Sequence, residues 1–110
     1  MSNPSRDTAL FVPLKAEYFH DFATGLKTTE YRLYGPRWNE RTCRPGRPVV
    51  LSLGYGKRNR LMGRVASFIA DYRDCLDGAT MRELSALFPA STGHTKIACI
   101  GIELEAPHVG

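Results

Sequence analysis

The chain has 110 residues, near the ordinary size of one domain, and 43% of them are hydrophobic, which excludes a disordered polypeptide. No apolar run approaches the roughly 20 residues of a membrane span, and the polar stretch Met1 to Thr8 lacks the apolar segment of a secretory signal, so the cytoplasm is the expected compartment and no membrane partner is expected. The formal net charge of +4 is concentrated: eleven of the 15 Lys and Arg residues fall between positions 15 and 64, against four acids, which favours an anionic partner.

Residues 1–8 read as a tail and 9–105 as a single domain. Thr8 to Leu14 reads as a short strand. Pro13 would cost a central strand one ladder bond, so this strand ends there or lies at a sheet edge. Lys15 to Thr24 reads as a helix, with Phe19, Phe22, Ala23 and Leu26 spaced along one face and Gly25 placed to end it. Thr28 to Arg32 switches to strand composition. Tyr34 to Gly46 is a loop rich in Gly, Pro and Arg, with a turn at Pro45-Gly46. Val49 to Leu53 and Leu61 to Ala70 read as the two strands of a hairpin, with Val65, Phe68 and Ile69 as core candidates. Thr80-Met81-Arg82-Glu83 has the capping-box pattern of a helix start; Met81, Leu84 and Leu87 or Phe88 would face the core, and Pro89 would stop the helix. Ile97 to Leu104 is a last strand with Ala98, Ile100, Ile102 and Leu104 alternating inward. This order is α+β: a small curved sheet or barrel with helices packed on it.

The chemistry concentrates in Gly25-Leu26-Lys27-Thr28-Thr29-Glu30-Tyr31-Arg32. A helix ending on glycine lets the chain turn abruptly and sets Lys27 at the mouth of a strand. Glu30 and Arg32, two apart, then share one strand face. A carboxylate flanked by two cations suits a polar ligand: the cations meet phosphate or carbonyl oxygens, and the carboxylate accepts hydrogen bonds from a base edge. An exposed strand with a Glu–Arg surface pair would give the same spacing.

A second candidate is Gly54-Tyr55-Gly56-Lys57-Arg58-Asn59-Arg60, where backbone amides and the cations Lys57 and Arg58 can meet phosphate and Tyr55 can stack on a base. A solvated hairpin tip has the same composition. Arg37, Trp38, Arg41 and Arg44 form a third cluster; Trp38 either plugs the core or stacks on a base. Cys43, Cys75 and Cys99 include no C-x-x-C pair and read as reduced thiols, and His20, His94 and His108 show no ligand spacing. No metal site and no cofactor are expected, and Gly25-Leu26-Lys27-Thr28 is not a P-loop.

The segment G-L-K-T-T-E-Y-R resembles the G-x-K-x-x-E-x-R signature of ASCH domains, in the PUA-like superfamily. A helix precedes it; a Pro-Gly turn, a basic hairpin and a closing helix–strand pair follow. The resemblance runs roughly from Ala9 to Glu105. It implies a small mixed β-barrel with two or three flanking helices, and a cleft lined by Lys27, Glu30 and Arg32. It implies RNA or a nucleotide-like small molecule as partner, in RNA metabolism or regulation. It also implies an alternative, because some members are hydrolases. One branch cleaves the amide of N4-acetylcytidine with a lysine, a threonine three positions later and a distant glutamate; another is associated with ribonuclease activity. Here Glu30 stands where that threonine would. Lys27 and Glu30 are the catalytic candidates of this alternative. A lysine nucleophile must shed its proton, which a neighbouring carboxylate opposes, so binding ranks ahead of catalysis. A protein-interaction domain without a small ligand is a third reading, marked by a large exposed apolar patch.

Overall fold

Pro13 decides where the first strand must lie. With no N–H to give, it belongs where one side of the backbone goes unpaired. In the computed structural model, which describes residues 8–105, β1 (Leu10–Leu14) is an edge strand and pairs in parallel with β3 (Pro48–Leu53). The sheet continues antiparallel through β4 (Arg60–Tyr72) and β5 (Lys96–Leu104) to β2 (Thr29–Leu33), in the order β1-β3-β4-β5-β2. Helix α1 (Ala16–Ala23) connects β1 to β2, and α2 (Gly78–Leu87) connects β4 to β5 after a 3-10 turn at Arg73–Cys75.

The architecture is α+β: a five-stranded mixed sheet curled into half a barrel, with two helices. The expected barrel is therefore only half formed. Among the described residues no backbone ladder joins β1 to β2, and these two edges face each other across an open seam. The expected tail at residues 1–8 lies, apart from Thr8, outside the described residues, as does His108.

Strand alternation supplies the core. β1 turns Leu10, Val12 and Leu14 to the concave face, and β5 turns Ala98, Ile100 and Ile102 there. Phe19 and Phe22 of α1 cover that face; burying each ring contributes about 1.5–3 kcal/mol. Ala23 and Leu26 do not join them. The helix ends at Ala23, and Gly25, at φ +82°, turns the chain away, so Leu26 lies beyond the helix and is 82% exposed.

Two further local expectations change for identifiable reasons. A bulge between Val65 and Ser67 inserts one extra residue into β4. Phe68 thereby pairs with core Ile100, while Ile69 faces outward opposite Cys99 and is 62% exposed. Helix α2 starts earlier than the Thr80 pattern suggests. Asp77 is its N-cap: Thr80 N donates to Asp77 Oδ1 at 3.0 Å and Thr80 Oγ1 to Oδ2 at 2.7 Å. The carboxylate thus takes the cap, and the threonine sits three residues inside the helix. Leu84 is fully buried as expected.

β4 and β5 approach most closely at Gly63, where a Cβ would run into the Glu103 carbonyl oxygen and lie 3.0 Å from Leu104 Cα. Gly63→Ala should therefore lower unfolding free energy by about 1–3 kcal/mol, the usual cost of forcing extra volume into a packed position. Gly56→Ala, whose new Cβ would meet Leu53 O only at 4.0 Å, serves as the control. Urea denaturation of the two variants measures the difference.

Candidate ligand cleft at the open seam

Leaving Gly25, the chain is tied back to α1 by the Lys27 N–H, which donates to Asp21 O at 3.0 Å. It then enters β2, where Glu30 lies opposite Ile100 and Arg32 opposite Ala98. Both β5 partners are core residues, so Glu30 and Arg32 also project from the concave face. The pair is not an exposed surface pair.

A buried charge must be paired and hydrogen-bonded. Glu30 is only 7% exposed. Its Oε2 accepts from Arg32 Nε at 2.7 Å. Arg32 Nη2 in turn donates to the Pro13 carbonyl at 2.6 Å. That bond crosses the seam between the two edge strands. It meets β1 on the side away from β3, where the proline ring leaves no N–H unpaired. The half-buried Trp38 ring lies 4.7 Å from the Arg32 guanidinium and packs against the core. Of the two readings of Trp38 the core plug is the one seen, and the ring also stacks on Arg32.

Lys27 Nζ stands 3.9 Å from Glu30 Oε1 and 3.7 Å from Oε1 of Glu83 on α2. The rings of Tyr18 and Tyr31 surround it at 5.3 and 5.1 Å, and Phe22 lies at 5.9 Å. Sequence reasoning used Glu83 only as a helix-start marker. No local spacing connects it to Lys27; the only available signal was its position on the helix predicted to pack nearby.

Lys27, Glu30, Arg32, Tyr18 and Tyr31 line a cleft of about 210 Å³ together with Pro13, Leu14, Lys15, Leu87 and Phe88. Inside it Lys27 and Arg32 stand against Glu30, a net positive lining, and Lys27 is also paired with Glu83 outside that lining. Exposed Lys15 adds a positive charge at the rim. Burial pushes the Tyr18 phenol above its ordinary 10.0, and the nearby carboxylates of Glu17, Glu83 and Glu30 push the same way. Burial also raises Tyr31, against a hydrogen bond with Thr80 that lowers it.

The other sequence-predicted residues lie elsewhere. Tyr55, Lys57 and Arg58 sit on the β3–β4 turn and do not line the cleft. Arg41 is exposed on the loop before β3 and does not line it either. The structure thus gathers Lys27, Glu30 and Arg32, adds Glu83, Tyr18 and Phe88, and leaves the hairpin and loop residues outside.

No protein-family model matches the chain, and no curated protein matches its sequence. Among solved structures, the crystal structure of hypothetical protein PH0355 is similar, with a TM-score of 0.62 at 19% identity, covering 86% of this chain and 97% of that one. At this identity the likeness speaks for the fold alone.

Arg32→Ala removes both Arg32 bonds and leaves Glu30 a buried, half-paired charge. It should cost about 2–3 kcal/mol of stability by chemical denaturation and shift the emission of Trp38. The tyrosines give a pH test. A folded-state pKa raised above 10.0 contributes stability that is complete below that value and lost as pH rises through the folded value. Thermal unfolding should therefore show Tyr31→Phe losing less of its neutral-pH stability above pH 10.0 than the unaltered protein.

Proposed function

We propose that the chain is an ASCH-type domain of the PUA-like superfamily that binds RNA or a nucleotide-like small molecule, and that the cleft receives one base edge-on. The observation that carries this reading is the Glu30 carboxylate. Its Oε2 is committed to Arg32, while Oε1 has Lys27 only at 3.9 Å, beyond hydrogen-bond length. Oε1 therefore retains capacity to accept an N–H from a ligand. Tyr18, Tyr31 and Phe88 supply flat walls suited to a planar heterocycle, and Lys27 and Arg32 are both already engaged by carboxylates. Lys15 at the rim suits a phosphate attached to that base.

A second reading, an amidohydrolase acting on N4-acetylcytidine-type nucleosides, draws on Glu83. The family's hydrolytic branch combines a lysine with a distant glutamate, and Glu83 stands beside Lys27. Against it, Glu30 replaces that branch's threonine, and Lys27 is held between two carboxylates within 4 Å rather than free in the cleft. On this reading Glu30 would serve as the general base.

Titration with cytidine and cytidine monophosphate, followed by NMR shifts at Tyr18 and Tyr31, tests the binding reading. Glu30→Gln should weaken binding by about tenfold or more, the worth of one hydrogen bond to a charged group. No shift with any nucleoside or nucleotide would remove the reading. Incubation with N4-acetylcytidine should give binding without cytidine release. Release abolished by Lys27→Ala would establish the hydrolase instead.

A further inference from the structure

The convex face of the half-barrel carries groups that the cleft does not use. The alternation that buries Leu10, Val12 and Leu14 turns Phe11 to this outer face. In register beside it stand Val50 of β3 and then Met62 of β4, which is 50% exposed. The three side chains form a row across neighbouring strands spaced roughly 4.8 Å apart. Tyr55 reaches this row from the β3–β4 turn; its ring lies 6.1 Å from that of Phe11, and it remains 80% exposed. The Arg60 guanidinium lies 5.5 Å from the Phe11 ring. Arg60 and Arg64 flank Met62 along β4.

The turn is held in place. Ser52 is fully buried and its Oγ donates to Gly56 O at 3.1 Å, while the Leu53 N–H donates to Asn59 O at 3.0 Å. Lys57, Arg58, Arg60 and Arg64 are all exposed; of the acids on this side, Glu103 stands opposite Arg64 on β5 and Glu105 lies beside Met62. The apolar row, three side chains wide, is small for the core of a stable protein interface. Flat rings beside a cationic track suit stacked bases and a phosphodiester backbone.

We infer that the convex face is a platform for single-stranded nucleic acid, with bases stacking on Tyr55 and Phe11 and the backbone following Lys57, Arg58, Arg60 and Arg64. The site is separate from the cleft and does not depend on what the cleft binds.

Fluorescence anisotropy with a labelled oligoribonucleotide of roughly 12 nucleotides, within the usual site size of a small β module, tests this. Log affinity against log salt should fall with a slope of about −3, from roughly 0.7 per phosphate neutralised on a single strand. Tyr55→Ala should weaken binding about tenfold, the effect of one lost base stack, with little change in that slope. Lys57→Gln with Arg58→Gln should roughly halve the slope. Tyr55→Ala should leave the cytidine-induced NMR shifts of Tyr18 and Tyr31 unchanged while weakening oligonucleotide binding, so the two sites fail independently. Thermal melts of each variant establish that it is folded.

Four outcomes overturn the platform. One is equal binding by the unaltered protein and the turn variants. A second is loss of affinity in the cation variants with none in Tyr55→Ala, which leaves a simple polyanion surface. A third is preference for a duplex or for an acidic peptide over the single strand. The fourth is a dimer by sedimentation that Met62→Arg disperses, which makes the face a contact between copies of this chain.

Discussion

One guanidinium connects everything at the seam. Arg32 neutralises the buried Glu30 from the same strand and reaches across to the Pro13 carbonyl on the opposite edge of the sheet. A flat sheet would hold β1 and β2 three strands apart. The bond at 2.6 Å is possible only because the sheet curls until its two edges nearly meet. The floor of the cleft is made of the same groups that span its opening.

The use of a charged pair there is informative. Seam closure by itself needs no charge, since buried ion pairs are often replaceable by apolar side chains of similar volume without loss of stability. Taking Glu30 out of water is costly, and Arg32 offsets that cost chiefly by geometry. What the ionic arrangement adds is an oriented carboxylate oxygen facing an open hollow. An apolar plug would be no less stable and would present nothing to a ligand. Lys27 follows the same logic: two carboxylates and a ring of aromatic side chains hold its head group at the cleft wall.

The sheet separates two kinds of chemistry. On its concave side Lys27 and Arg32 are paired with carboxylates among aromatic rings, and its convex side carries exposed cations beside Phe11 and Tyr55. The cations concentrated between residues 15 and 64 therefore do not all serve one site. Their excess over acids in that stretch belongs mostly to the outside, because only Lys15, Lys27 and Arg32 among them line the cleft.

Much of the local structure was legible before any coordinates. The succession of strands and helices along the chain, the glycine that ends α1, the edge position of Pro13 and the inward alternation of β5 all follow from preferences that act within a few residues: backbone sterics, a missing N–H, and the partition of apolar side chains. Lys27, Glu30 and Arg32 could be singled out for the same reason, since period-two spacing puts Glu30 and Arg32 on one face. Their surroundings could not. The bulge that turns Ile69 outward depends on pairing with β5, the bond from Arg32 joins positions 19 apart, and Glu83 comes to Lys27 only through the packing of α2. The sequence by itself determined which elements form and which side chains share a face; the tertiary structure decided which faces meet. Meeting depends on the curl and order of the whole sheet, a sum over contacts remote in the chain that no local pattern encodes.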